Sequence, residues 1–461
     1  MRNLHYEKFA DGSVKCIEDD IPFELPKGWA WERLSNLATF SGGKTPSTSR
    51  REYWDGEVLW VTSKDMKSKY ITSSQLRLSV LGAEQMQIYQ PDTLLLVTRS
   101  GILRHTLPIA ILKECATVNQ DLKAIVLYMP ELAEYVYVCL KGMESQLLLK
   151  YTKSGTTVEN VNFDEFQKVL LPIAPFQEIR KIIEATSEAT IVVSSIEDEK
   201  AALAEYIVKA KAKILDLAIR GQLVPQNPDD EPASVLLERI RAEKEKLIYQ
   251  GKIKRDKKES VIFRGEDNSY YLRTGELVES LEGWAFEDLP DSWSVCCLGE
   301  LCDYGNCTNV DTADIADSAW MLDLEDIEKD SGVVLKKVRK AERNAASTKH
   351  RFHKGQVLYS KLRSYLNKVV LADEDGYCTS EILPLEFERN ILPQYARYYL
   401  MSPAFLKYAN KCSYGVKMPR LGTADGKKAI ISIPPFEEQK RIVLAIELAF
   451  AQLGFIAESL A

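Results

Sequence analysis

Ile173-Ala174-Pro175-Phe176-Gln177-Glu178-Ile179-Arg180-Lys181-Ile182 returns about 260 positions later as Ile433-Pro434-Pro435-Phe436-Glu437-Glu438-Gln439-Lys440-Arg441-Ile442. A second shared border stands upstream of each copy: Leu25-Pro26-Lys27-Gly28-Trp29 before the first and Leu289-Pro290-Asp291-Ser292-Trp293 before the second. Between these borders lie two interiors of about 150 residues with little in common, so one repeated frame holds two divergent fillings. Each Pro-Phe border reads as a helix start. A proline in the first turn lacks only an N–H that would be unbonded anyway, and Glu178, Glu437 and Glu438 suit the positive end of the helix dipole.

Downstream of Pro175 no Pro or Gly occurs until Gly221, which predicts a single helix of about 40 residues. Ile182, Ala189, Ile196, Leu203, Ala210 and Leu217 recur every seven residues, and Ile207 and Ile214 belong to a second row. The second copy repeats the seam in phase with Ile442, Ala449 and Ile456 beside Ile446 and Leu453. A sustained heptad buries its seam against another helix, so the two long helices are expected to pair with each other, antiparallel. A shorter amphipathic helix is expected from Pro232 to Ile248, followed by a basic linker from Lys252 to Ser260.

Inside the interiors, Thr93–Val97, Pro108–Leu112 and Leu122–Leu127, answered by Gln356–Tyr359 and Lys368–Leu371, are short apolar runs that read as buried strands. Tyr135–Lys150 and Gln394–Tyr408 read as one helix per interior. The expected fold is therefore α+β: two mixed α/β domains joined by long antiparallel coiled-coil helices, with an internal pseudo-two-fold repeat. The divisions are an N-terminal arm (1–24), domain 1 (25–173), a central long helix (174–224), a short helix with linker (225–288), domain 2 (289–433) and a C-terminal helix (434–461). Tyr6, Gly12 and Val14 in the arm loosely echo Tyr270, Gly275 and Val278.

With 45% hydrophobic and 28% charged residues the chain can bury real cores, which excludes disorder. No apolar run is expected to reach bilayer-spanning length and no signal core is visible, so a cytoplasmic location and free thiols at the nine cysteines are expected. A net charge of −7 argues against non-specific coating of nucleic acid.

Catalytic patterns fail one by one. Ser41-Gly42-Gly43-Lys44-Thr45 lacks the earlier glycine of a phosphate loop and runs into Pro46. Pro434-Pro435-Phe436 follows Ile433, not the side-chain amide with which amino-methyltransferases grip a base. Cys296, Cys297, Cys302 and Cys307 have no zinc spacing and no nearby histidine, and the four histidines are scattered. Asp323, Glu325 and Asp326 are expected on a solvated surface turn. No catalytic residue, metal site or cofactor is therefore assigned to this chain.

Recognition chemistry remains. Arg99, Ser100, Gly101 and Arg104 follow one buried strand, and Lys361, Arg363, Ser364 and Tyr365 follow its counterpart. Arginine can bridge two guanine acceptors, and hydroxyls suit phosphate oxygens. Lys153, Ser154 and Gly155, and Ser413, Tyr414, Gly415 and Lys417, close the two interiors in equivalent places, where glycine permits close backbone approach. Lys44, Thr45, Arg50 and Arg51 add a basic patch.

The opening Leu-Pro-x-x-Trp, the closing Pro-Phe-x-Glu with its long helix, the late Ser-Gly or Ser-x-Gly turn and the duplication together resemble the specificity subunit of type I restriction-modification systems. The resemblance spans nearly the whole chain. It implies that 25–173 and 289–433 are target recognition domains, each reading half of a split DNA sequence, with the helices as a ruler for the unread spacer. It also implies docking of two methyltransferase subunits that use S-adenosylmethionine, and recruitment of restriction subunits that use ATP and Mg. Other readings are a coiled-coil scaffold joining two protein-binding domains without DNA, and a self-contained DNA-modifying enzyme.

Overall fold

The computed structural model describes residues 5–8, 11–153, 158–252, 260–267, 269–281, 289–343 and 347–460. Ser154, Gly155 and most of the basic linker lie outside the described residues. The chain forms two compact units, Met1–Glu197 and Asp198–Ala461, and the boundary falls within the helix Phe176–Ile219.

The two borders of each domain are neighbours. Ala30–Arg33 pairs antiparallel with Leu170–Ile173, and Ser294–Cys297 pairs the same way with Ile430–Ile433. The border tryptophan then reaches the border glutamate: Trp29 Nε1 donates to Glu178 Oε2 at 2.9 Å, and Trp293 Nε1 donates to Glu438 Oε2 at 3.1 Å. A buried tyrosine completes each clasp, Tyr135 donating to the carbonyl of Pro172 and Tyr395 to that of Ser432. Motifs far apart in sequence thus form one hydrogen-bonded frame, built twice.

The interiors, so different in sequence, share a strand framework. In domain 1 Leu94–Val97 lies between Leu122–Leu127 and Ile109–Leu112, antiparallel to both. In domain 2 Val357–Ser360 lies between Ile382–Leu385 and Val369–Leu371 in the same way. A parallel pair follows in each: Ala116–Val118 with Trp54–Val61, and Gly376–Thr379 with Trp320–Leu322. Successive side chains of a strand face opposite sides. Accordingly Leu94 and Leu96 pack under the helical layer with Tyr135, Val136 and Leu140, whereas Leu95 and Val97 enter a second core with Leu59, Val61 and Val118. Two-sided burial explains why these strands read as unbroken apolar runs.

Each expected interior helix is in fact two. Ala133–Gly142 stops and Glu144–Tyr151 starts at Met143, where the backbone leaves the helical region; Pro393–Met401 is followed by Pro403–Cys412. Pro403 cannot continue a helix that needs its N–H, and Ser402 caps the new one by accepting from the amide of Phe405 at 3.3 Å. The loose echo between the arm and the segment before domain 2 is a hairpin in both places, with Tyr6–Lys8 paired to Val14–Cys16 and Tyr270–Thr274 to Leu277–Ser280; Gly12 (φ 89°) and Gly275 (φ 63°) turn the chain in the left-handed region.

The central helix runs 44 residues, Phe176–Ile219, about 66 Å at 1.5 Å per residue. The C-terminal helix, Phe436–Ser459, is 24 residues long. Pro435 sits at its N-cap rather than inside its first turn. Within the second unit Leu215, Ala218 and Ile219, with Ile214 packed against them, share a core with Ile442 and Ile446, and Lys211 Nζ lies 5.6 Å from the ring centroid of Phe450. The seam is uneven: Ile182 packs on the core of domain 1 and Ile207 is buried, Ala449 and Leu453 are half-buried, and Ala189, Ile196, Leu203 and Ile456 are exposed. The C-terminal helix also corrects the expectation that no segment is long and apolar enough to cross a membrane. It meets that criterion by length and composition, with a mean hydropathy of 1.7. It starts, however, in the domain core, with Glu438, Gln439, Ile442 and Ile446 buried.

Asp323 and Asp326 do not lie on a solvated face, whereas Glu325 is exposed on the turn as expected. Asp326 is buried, Arg343 lies 2.7 Å from carboxylate oxygens of both Asp323 and Asp326, and Lys349 lies 3.3 Å from Asp323. Asp323 and Asp326 hold these two cations in domain 2, and the exposed Glu325 lies 3.7 Å from Arg343.

Candidate nucleic-acid interface

In domain 1 the strand Leu94–Val97 ends beside the start of Leu122–Leu127, and Thr98 bonds the Asp121 carbonyl through both its amide and its hydroxyl. The chain then forms β1 (Arg99–Ser100). The end of the helical layer continues into β2 (Thr152–Lys153), and β3 (Glu159–Val161) returns between the two. The order β2-β3-β1 is antiparallel throughout. This small sheet joins the two loops that the residue types singled out, across more than 50 positions of sequence. Lys44 and Thr45 lie at the same end of the main sheet: the amide of Lys44 donates to Val118, and Thr45 is hydrogen-bonded to Gln120.

Domain 2 repeats the construction. β4 (Ser413–Tyr414) pairs antiparallel with β5 (Arg420–Leu421), and Arg420 forms a further antiparallel bridge with Leu362 in the loop after Val357–Ser360. The amide of Arg363 donates to the Pro419 carbonyl at 2.7 Å, and that of Leu421 to Lys361 at 3.0 Å. Arg363 (φ 52°) and Asn367 (φ 47°) both sit in the left-handed region, a costly conformation for non-glycine residues that the surrounding bonds impose. Gly415 (φ 104°) turns the hairpin between β4 and β5.

The expected contact residues divide into two groups. Arg99, Lys153, Arg363, Tyr365, Tyr414 and Lys417 are exposed at these two sheets. Others are occupied internally. Arg104 Nε lies 2.6 Å from Glu159, and the Ser100 hydroxyl accepts from the amide of Ile102. Ser364 is buried, and its hydroxyl is 2.8 Å from that of Ser413, which also donates to Ala409. The main chain of Lys361 braces the sheet. Gly101 has open space around it and no left-handed turn. Arg50 and Arg51 lie on the turn before Trp54–Val61, where Arg50 donates to the Tyr53 hydroxyl at 2.8 Å. Gly43 packs on the Val118 and Asn119 carbonyls, and its loop leads to the turn Arg51–Tyr53, not to a phosphate-binding helix.

Residue-by-residue reading missed Asn160, Glu159, Glu381 and Arg420. Arg420 donates to both oxygens of Glu381 at 2.7–3.1 Å. That pairing holds the Glu381 carboxyl below its usual range. These residues sit in stretches with no motif, and only strand pairing brings them to the site. Among the described residues no group of three or more His, Cys, Asp or Glu is arranged to hold a metal ion. Burial pushes up the thiols of Cys296, Cys297, Cys302 and Cys378, which makes them poor nucleophiles.

Two copies of one mixed α/β domain, each offering a small cation-bearing sheet at the end of its main sheet, define a duplicated recognition protein. The family model described as the type I restriction modification DNA specificity domain matches residues 26–203 and 290–452, and the chain belongs to that family. It is 26% identical over 199 residues to the EcoR124I/EcoR124II specificity subunit of Escherichia coli, covering 42% of this chain and 47% of that one. It is 28% identical over 170 residues to the MjaIX specificity subunit of Methanocaldococcus jannaschii, covering 36% and 38%. The chain thus spans less than half the length of these curated relatives. A chain from a structure of complex assembly and conformational transition in a type I R-M system shares the fold, with a TM-score of 0.57 at 16% identity over 95% of this chain and 94% of that one.

Proposed function

We propose that this chain is the DNA-sequence specificity subunit of a type I restriction-modification complex, in which each domain reads one half of a bipartite target. The observation that carries this reading is the paired construction of β2-β3-β1 and of β4-β5 with its Leu362 bridge. In both domains two loops distant in sequence are joined into one small sheet that exposes arginine and lysine. Such a surface suits a duplex, because cations meet phosphates while arginine reads guanine in the major groove. Family membership supports it, as do relatives that are specificity subunits.

The central helix acts as the ruler. Its 66 Å or so exceeds one turn of DNA, about 34 Å, so spacer length becomes a consequence of helix length. Support for antiparallel pairing comes from Lys211 beside Phe450, while Ile214 and Leu215, later in the central helix, share a core with Ile442 and Ile446, earlier in the C-terminal one. The exposed apolar positions Ile196, Leu203 and Ile456 are surfaces on which methyltransferase and restriction subunits dock. Chemistry belongs to those partners: S-adenosylmethionine to the methyltransferase, ATP and Mg to the restriction subunit. In this reading the chain is not itself an enzyme and works in the cytoplasm.

The test is genome-wide detection of N6-methyladenine in a host expressing this chain with its methyltransferase partner, against the methyltransferase alone. A split motif that requires this chain is expected. No new motif from an assembled complex with an active methyltransferase would falsify the reading.

A further inference from the structure

In the sheet β2-β3-β1 the registers are Lys153 opposite Asn160 and Asn160 opposite Arg99. Directly opposed residues of antiparallel strands point to the same face, so these three side chains form one row across the sheet. The other face carries Glu159 and Val161, both buried, and Ser100 and Thr152, both half-buried. Lys153, Asn160 and Arg99 are all exposed. Among the described residues, neither the Arg99 nor the Lys153 side chain has an internal hydrogen bond or ion pair. The side-chain carboxamide of Asn160 makes one long bond, its Nδ2 donating to the carbonyl of Val158 at 3.4 Å. Below the row, Glu159 anchors Arg104 at 2.6 Å, and the amide of Val161 bonds Thr98, which fixes β3 against the domain.

We propose that this row is the base-reading element of domain 1, and that Arg99 and Asn160 read a guanine and an adenine in neighbouring base pairs through the major groove. The inference rests on the chain being a DNA specificity subunit and adds which residues of domain 1 discriminate bases. The side-chain types fit: a guanidinium donates twice to guanine O6 and N7, and a carboxamide both accepts from adenine N6 and donates to N7. Spacing fits as well. Adjacent strands lie about 4.8 Å apart, so the row is about 10 Å wide and enters a major groove about 12 Å across. Lys153, at the outer end, meets a phosphate. Domain 2 has no such row, because its equivalent positions hold Tyr414, Arg420 tied to Glu381, and buried Leu362. Asn160 is therefore a discriminating residue peculiar to the first half-site.

The experiment uses the complex with its methyltransferase and reads the methylated motif genome-wide. If the wild-type complex yields no bipartite motif, the specificity-subunit reading itself falls. Given a wild-type motif, Asn160→Ala is expected to relax one A·T position and Arg99→Ala the adjacent G·C position of the same half-site, each by on the order of ten- to a hundred-fold. The other half-site stays unchanged. Motifs identical to wild type in both variants, or relaxations in different half-sites, overturn the row. Should a variant lose all methylation, binding of the wild-type complex to duplexes decides. Replacing each adenine of the wild-type motif in turn by 7-deazaadenine removes an N7 acceptor, and at one position is expected to weaken binding about ten-fold. Equal affinity with 7-deazaadenine at every adenine of the motif rejects the proposal.

Discussion

The two domains make the same clasp in different surroundings. In domain 1 the Trp29–Glu178 bond sits at the surface, with Glu178 exposed. In domain 2 Trp293 and Glu438 are both buried, and Gln226, from the segment after the central helix, supplies a second donor to Glu438 at 2.6 Å. The surfaces proposed to read DNA diverge too. Domain 1 presents the polar row Lys153–Asn160–Arg99, and domain 2 presents Arg363 from a left-handed turn with Tyr365, Tyr414 and Lys417 around a hairpin. A duplicated frame needs only its border bonds and strand order kept, so burial and surface chemistry are free to differ between copies.

The largest contrast is expected for Trp293→Phe against Trp29→Phe. Losing the indole donor beside a buried carboxylate costs about 1–3 kcal/mol, and losing an exposed one costs about 0.5 kcal/mol. Denaturant unfolding of the full chain, followed by a probe in each domain, separates the two; equal losses would show that burial of the clasp is immaterial. Next comes specificity: Arg363→Ala should relax only the second half-site and leave the first intact, by on the order of ten-fold in methylation selectivity. Relaxation in both halves would end the one-domain, one-half-site scheme.

Spacer length tests what lies between the domains. Inserting whole helical turns near Ala201–Ala204 is expected to lengthen the tolerated spacer without altering either half-site, and an unchanged spacer in the methylated motif rejects the ruler. The smallest effect concerns pH. Burial, opposed by the Gln226 and Trp293 hydrogen bonds, pushes Glu438 above its ordinary 4.5. The folded state then binds the proton more tightly than the unfolded one, so stability is lost as pH rises from about 4.5 through the raised value. Glu438→Gln should flatten that part of the stability profile, as read by thermal unfolding between about pH 4 and 8.

Much of this architecture is legible residue by residue. Local patterns carry it: the Pro-Phe borders start helices, the Pro- and Gly-free stretch makes a 44-residue helix, and the apolar runs make two-sided strands. The helix breaks at Met143 and Ser402 escaped because the apolar periodicity continues across them while the backbone does not. The acid cluster at Asp323 escaped because its partners, Arg343 and Lys349, come from distant positions.

The amino-acid order alone shows a duplicated chain with two divergent interiors, a long heptad helix and loops of DNA-binding chemistry, because these follow from short-range periodicity and composition. Which loop residues act together was settled by folding. Glu159 meets Arg104 across 55 positions, Arg420 meets Glu381 across 39, and Asn160 comes to stand between Lys153 and Arg99 through strand register alone. A one-residue slip in that register would turn Asn160 into the domain and Glu159 outward, and nothing local to either residue forbids it. Pairing with the rest of the domain does.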